Sequence, residues 1–200
     1  KATLLDGGNG VVLASKTSPE TEMEIIARKP GWAEQHPHVW WENVKVAVAS
    51  VLEKSDADPG DIGAIGISYQ MHGLVVVDKR METLVPSIIW CDSRAVEIGD
   101  RAFRDIGRDV CLERLLNSPG NFTASKLRWL RENDPGVFSR IHKAMLPGDW
   151  IAMKMTGEIR TTPSGLSEMI LWDYRSGGIA DIVLGHYEIP RDLVPETVPT

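Results

Sequence analysis

Residues 61–78 read DIGAIGISYQMHGLVVVD, and after a polar turn residues 86–94 read PSIIWCDSR. Ile62–Ser68 is a short apolar run with glycine spacers, which is typical of a strand that is buried on both faces. Leu74–Val77 is rich in β-branched residues and predicts a second strand. Ser87–Trp90 predicts a third strand, so this part of the chain is expected to form the centre of a sheet.

Two polar clusters lie where these predicted strands end, at Tyr69–His72 and at Trp90–Arg94. Loops held at strand ends by a rigid sheet are where α/β proteins commonly place their ligands. We therefore expect a substrate site to be built from these two clusters.

Several side chains in the clusters are candidates for ligand contact, each with a simpler alternative. His72 can donate to or accept from a hydroxylated ligand, or its ring can be satisfied by the backbone. Asp92 can accept two hydroxyls while Arg94 orients it, or the two can form a helix cap and a surface ion pair. Trp90 can stack on a ligand or belong to the core. Cys91 is predicted to be a packed thiol, because no partner base is identifiable.

Composition excludes several classes of function. The chain has 200 residues, a formal net charge of −6 and two cysteines. The absence of a basic patch argues against nucleic acid as a partner, and no apolar run approaches the ~20 residues needed to span a membrane. His36 and His38 flank a proline without a third ligand, so we predict surface residues and no metal site. We expect a cytoplasmic protein with reduced thiols.

The remaining sequence predicts an opening hairpin and then mainly helices. Residues 2–14 contain two strands around the turn DGGNG, and a helix is predicted from Pro37 to about Lys54. A further helix is predicted over Thr123–Asn133, and a strand over Ala144–Leu146. A strand that follows a helix is expected to pair in parallel. The predicted fold class is α/β, with a mixed β-sheet flanked by helices.

Residues 63–73 (GAIGISYQMHG) and 86–94 together resemble the FGGY carbohydrate kinases, and the xylulose-phosphorylating members most closely. Residues 32–41 (WAEQHPHVWW), 120–129 (GNFTASKLRW) and 146–150 (LPGDW) look like further landmarks of this family, in the family's order. The resemblance covers nearly all of the chain, and five landmarks in order are more specific than any one of them.

The resemblance implies an actin-like ATPase (ribonuclease H-like) fold and the transfer of the ATP γ-phosphoryl group to a sugar hydroxyl, with Mg²⁺. Residues 1–200 would form the N-terminal, sugar-binding domain without its first strand and phosphate loop. The second, ATP-binding domain and the general-base aspartate would lie beyond residue 200. We therefore expect no turnover from residues 1–200 alone.

The resemblance also implies roles for named residues. Met71 and His72 match the family's sugar-binding pair, with Gln70 beside them. The strand-end segment that lines the same pocket contains Trp90, Asp92 and Arg94. Lys1 fits the lysine that closes the family's phosphate loop.

The expected reaction is phosphorylation of D-xylulose to xylulose 5-phosphate. Gluconate, ribulose or another ketose is the alternative substrate, and a non-catalytic sugar-binding relative is an alternative of a different class. The expected partners are a small-molecule sugar and ATP, and the resemblance also admits a homodimer.

Overall fold

The structure is a computed structural model, and it describes residues 1–199. These residues divide into two compact units. The first unit combines Lys1–Glu24 with His36–Ser68, and the second combines Ile25–Gln35 with the chain from Tyr69 onwards.

The first unit is a hairpin with a long helix packed against both of its strands. Strands β1 (Ala2–Leu5) and β2 (Val12–Lys16) pair antiparallel, as the sequence predicts. Helix α1 (Pro37–Ser55) begins with a proline at its first position and ends where Asp56 adopts a left-handed conformation. A short 3-10 turn at Pro59–Asp61 follows. The predicted hairpin and α1 are therefore confirmed, although β2 extends to Lys16, two residues beyond its predicted end.

Among the residues described, the second unit contains eight short strands in four two-stranded sheets, and Ile88 also forms an isolated antiparallel bridge with Leu74. Strands β3 and β5, β4 and β6, and β8 and β9 are antiparallel pairs, whereas β7 and β10 are parallel. The strands are β3 (Glu34–Gln35), β4 (Val75–Val77), β5 (Ser87–Ile88), β6 (Lys143–Met145), β7 (Arg160–Thr161), β8 (Trp172–Asp173), β9 (Gly178–Ile179) and β10 (Glu196–Thr197). Together with the hairpin they make five two-stranded sheets within residues 1–199.

Helices make up most of the rest of the second unit. Several of them begin with a proline at the first or second position, where a missing backbone N–H costs nothing. They are α2 (Val96–Ile106), α3 (Arg108–Arg114), α4 (Thr123–Asn133), α5 (Pro135–Phe138), α6 (Pro147–Thr156), α7 (Pro163–Glu168) and α8 (Asp181–Tyr187), and a 3-10 turn follows at Arg191–Leu193. Within residues 1–199, no helix has the length and apolarity that crossing a bilayer requires.

The core of the second unit forms around β4 and α4. The three valines of β4 are at most 1% exposed, and Val76 belongs to the same core cluster as Leu127 of α4, which is 1% exposed. Burying one aliphatic side chain contributes about 1.5–3 kcal/mol. The buried valines of β4 therefore anchor the end of the loop that precedes this strand.

Two predictions about strands are wrong. Ile62–Ser68 forms no strand, and Ile65 is 65% exposed, because an apolar run becomes a strand only beside a partner and none of residues 1–199 pairs with it. Strand β6, which follows a series of helices, pairs with β4 antiparallel and not parallel. The connection from β4 to β6 passes through β5 and four helices, so no single crossover dictates its direction.

Candidate functional site

The loop from Tyr69 to Gly73 leads into β4 and presents His72 in an unusual conformation. His72 has φ of +57°, a left-handed value that few non-glycine residues adopt. Its ring packs against Phe122, with ring centroids 4.1 Å apart, and its Nδ1 lies 3.0 Å from the carbonyl oxygen of Glu168. A carbonyl oxygen only accepts, so Nδ1 donates in this bond and Nε2 of the neutral ring keeps a lone pair for a ligand hydroxyl.

Met71 and Trp90 expose large apolar side chains. Met71 directly precedes His72, and Trp90 belongs to the neighbouring loop. Met71 is 55% exposed and Trp90 is 59% exposed, so the alternative that Trp90 belongs to the core is wrong. The backbone N–H of Trp90 donates to Oε1 of Gln70 at 3.0 Å, and this bond joins the two predicted clusters. The structure thus brings together Gln70, Met71, His72 and Trp90.

Asp92 and Arg94 lie in the interior and not at the surface. The side chain of Asp92 is fully buried and that of Arg94 is 3% exposed, so a surface ion pair is excluded. Both oxygens of Asp92 accept from the Arg94 guanidinium at 2.6–2.9 Å, and Oδ2 also accepts from the Ala33 N–H at 2.6 Å. Glu34 adds a second carboxylate 2.8 Å from Arg94.

A helix cap is the other alternative for this segment, and it is also wrong. Helix α2 begins after Ala95, and no side chain caps its first turn. Asp92 instead accepts a hydrogen bond from the backbone N–H of Arg94 at 2.9 Å, which closes a turn that precedes α2. The Asp92 carboxylate therefore shapes the loop itself.

Two tryptophans enclose the Arg94 guanidinium. Its central carbon lies 3.8 Å from the ring centroid of Trp32 and 4.9 Å from that of Trp129. The two rings meet edge to face, with centroids 5.2 Å apart. A planar cation between aromatic faces and carboxylates is held in a single orientation.

Lys126 is a residue of this site that the sequence does not single out by chemistry. It is 0% exposed in α4, and its ammonium donates to the carbonyl oxygens of His72 at 2.7 Å and Ile89 at 3.1 Å. Burial lowers the pKa of Lys126 to about 8, although the nearby Asp92 carboxylate opposes this shift. One signal was available: residue 126 lies one position before Leu127 and four before Leu130, beside the apolar face that the sequence predicts for this helix.

Acidic groups surround the start of the loop. Burial raises the pKa of Asp149 to about 6, opposed by hydrogen bonds from Thr161 Oγ1 and the Leu146 N–H. Burial, together with the charges of Asp149 and Glu168, raises the pKa of Tyr69 to about 12. The Glu168 carboxylate also lies 3.5 Å from Nδ1 of His72. The phenol of Tyr69 therefore stays protonated at neutral pH and does not act as a base.

Other candidates belong to the first unit or differ from expectation. Lys1 is exposed and directly precedes β1 in the first unit. Cys91 is an exposed free thiol, so the prediction that it is packed is wrong. His36 and His38 have exposed rings 5.2 Å apart. Within residues 1–199, no three His, Cys, Asp or Glu side chains are grouped so that they could hold a metal ion, and no magnesium ligand is assigned there.

Comparison with known proteins gives matches over nearly the whole chain. The model of the N-terminal domain of the FGGY family of carbohydrate kinases matches residues 1–200. Xylulose kinase of Escherichia coli K12 is 30% identical over 196 residues, which cover 98% of this chain and 39% of that protein. A glycerol kinase of Thermococcus gammatolerans is also 30% identical, over 172 residues that cover 84% of this chain and 35% of that protein.

Solved structures agree with these matches. A crystal structure described as a xyloylose kinase from Brucella ovis superposes with a TM-score of 0.87 at 25% identity, covering 98% of this chain and 39% of that one. The predicted fold class, an α/β actin-like ATPase domain, is confirmed. The chain spans about two fifths of the length of the curated relatives it matches. By the match over its whole length, this chain belongs to the FGGY family of carbohydrate kinases.

Proposed function

We propose that the protein containing this chain phosphorylates a ketopentose with ATP, and that D-xylulose is its preferred substrate. The observation that carries this proposal is His72, whose ring is oriented by the Glu168 carbonyl beside the exposed Met71 and Trp90. The similarity to a protein named xylulose kinase supports the choice of sugar. The 30% identity to a glycerol kinase makes other polyols and sugar acids the substrates to test against it.

Sugar recognition is the role proposed for this segment. Nε2 of His72 accepts a hydrogen bond from one sugar hydroxyl, and the amide of Gln70 reaches a second while still bonded to Trp90. The indole of Trp90 and the thioether of Met71 cover the apolar C–H face of the sugar. Asp92 and Arg94 are buried, so we propose that they act indirectly, by holding the Trp90 loop in place.

The remaining parts of the reaction are assigned to other segments of the protein. The phosphate loop is proposed to include Lys1 and residues before it, and the ATP-binding domain with the general-base aspartate to follow residue 200. ATP with Mg²⁺, when bound, supplies the phosphoryl group and neutralises its charge. The His72 loop contributes by fixing the acceptor hydroxyl in line, which lowers the barrier through orientation. A cytoplasmic location and a homodimer remain predictions.

A coupled ADP-release assay on the full-length protein tests this function. The sugar panel is D-xylulose, D-ribulose, gluconate and glycerol, each measured at saturating ATP and Mg²⁺. We expect kcat/KM for D-xylulose to exceed that for each of the others by about tenfold or more, the scale of one well-placed hydrogen bond. A higher value for another member of the panel would reassign the substrate, and no sugar-dependent ADP release from any of them would indicate a non-catalytic relative.

A further inference from the structure

Lys126 connects the two loops of the candidate site from inside the protein. Its ammonium binds the carbonyl oxygen of His72 at 2.7 Å and that of Ile89 at 3.1 Å, and no part of the side chain is exposed. Ile89 directly precedes Trp90, so one buried cation holds the backbone at both ligand-facing rings. A hydrogen bond from a charged donor is roughly twice as strong as a neutral one.

The backbone at His72 needs such support. A left-handed conformation costs a non-glycine residue about 1–2 kcal/mol, and it persists only where surrounding contacts over-determine it. The contact from Lys126 falls on the carbonyl of this same residue, and Thr123 Oγ1 donates to the next carbonyl, that of Gly73, at 3.2 Å. The first turn of α4 therefore fixes the direction in which the imidazole leaves the chain.

The charges near Lys126 come from the second loop. Burial and the Arg94 guanidinium oppose its charged form, whereas the Asp92 carboxylate favours it. The His72 ring belongs to the first loop, whose backbone Lys126 binds. The ammonium thus lies between a histidine loop and a loop that already contains a buried ion pair.

We propose that Lys126 is a positioning residue for the sugar: it holds His72 and Trp90 at the spacing that a single ligand requires. It makes no contact with the sugar and acts through the two carbonyls. This inference rests on the proposed function, because the ligand that the two rings are held for is the sugar.

The chain offers a matched control in Lys143. Its ammonium also joins two backbone carbonyls, of Asp192 at 2.6 Å and of Val194 at 3.0 Å. Neither carbonyl belongs to the His72 or Trp90 loop. Lys143→Met therefore reports what the loss of such a bridge does to stability alone.

The kinetic test compares Lys126→Met and Lys126→Gln with Lys143→Met in the full-length protein. We expect Lys126→Met to raise KM for the sugar about tenfold while kcat and KM for ATP change less than threefold. Lys126→Gln keeps one neutral donor and should give a smaller rise. Lys143→Met should leave KM for the sugar within twofold of wild type. Equal effects of Lys126→Met and Lys143→Met on KM would overturn the proposal.

Hydrogen exchange separates this proposal from the proposed function. Without any sugar, Lys126→Met should speed amide exchange at least threefold in peptides covering residues 69–73 and 89–94, and Lys143→Met should not. Unchanged exchange in both peptides would overturn the proposal even in an active kinase. Faster exchange in a protein without kinase activity would leave the loop-holding role standing while the proposed function fails. Failure of both Lys126 variants to fold, with Lys143→Met folded, would show a requirement for folding and overturn the proposal.

Discussion

Arg94 is a buried cation that is compensated by buried carboxylates. Two carboxylates, of Asp92 and Glu34, bind its guanidinium, and the ring of Trp32 covers one of its faces. Removing one partner from such a buried pair usually costs about 3–5 kcal/mol, because the other charge is left uncompensated. These contacts therefore hold the backbone that follows Trp90 in one conformation.

Asp149 gives a testable dependence of stability on pH. Burial raises its pKa from 3.8 to about 6, so between those values the folded state holds a proton that the unfolded state has lost. The free energy of unfolding therefore falls as the pH rises through this window. Asp149→Asn does not titrate, and its thermal stability should exceed that of wild type at pH 7 by at most about 3 kcal/mol.

Thermal melts of the full-length protein at pH 4, 5, 6 and 7 check this expectation. The advantage of Asp149→Asn should shrink towards pH 4. The control is Asp100→Asn, at an exposed position of α2, which should show no such trend. An advantage of Asp149→Asn that is the same at every pH would show that the carboxyl group does not titrate in this window.

Individual residues differ in how far local sequence determines them. The position of Lys126 beside the apolar face of α4 could be predicted from helical periodicity, since it lies one residue before Leu127 and four before Leu130. The burial of Asp92 could not, because its backbone partner Ala33 lies 59 positions away and only the folded chain brings them together. The exposure of Trp90 likewise depends on which side of the strand end remains uncovered.

Among the elements, helices are predicted more accurately than strands. The predicted bounds of α4, Thr123–Asn133, agree with the structure because a helix satisfies its own backbone and needs only an apolar face. Ile62–Ser68 fails as a strand because its hydrogen bonds must come from another segment. Apolar composition alone does not supply that partner.

Helix α2 makes a close contact that only glycine allows. A Cβ atom added at Gly99 would lie 1.7 Å from the carbonyl oxygen of Gly120, in the loop where Asn121 donates to the carbonyl of Asp92. We expect Gly99→Ala to destabilise the protein by about 1–3 kcal/mol or more, because the backbone at Gly120 or at Gly99 itself must move to admit the methyl group. Denaturant unfolding of the full-length protein measures this change.

Gly185 in α8 is the matched control for this helix contact. A Cβ atom there would meet no other atom within 4 Å. Gly185→Ala should therefore be neutral or stabilising by up to about 1 kcal/mol, as helix propensity predicts. Equal effects of the two substitutions would mean that α2 and the loop at Gly120 are not in tight contact.

At the scale of the whole molecule, the chain matches the N-terminal domain of the FGGY family of carbohydrate kinases over its full length. It covers 39% of the length of Escherichia coli xylulose kinase. The family and fold could be predicted from ordered landmarks in the sequence, since these depend on local segments. The sugar could not, because selectivity depends on angstrom-scale placement of groups such as the His72 ring.

The most direct measurement for the central claim is the KM for D-xylulose of His72→Ala in the full-length protein, beside its KM for ATP. We expect KM for the sugar to rise about tenfold, the cost of a lost hydrogen bond, while KM for ATP stays within twofold of wild type. His38→Ala, at an exposed position of α1, is the control and should change neither. An unchanged KM for D-xylulose in His72→Ala would contradict the assignment of the sugar site to this loop.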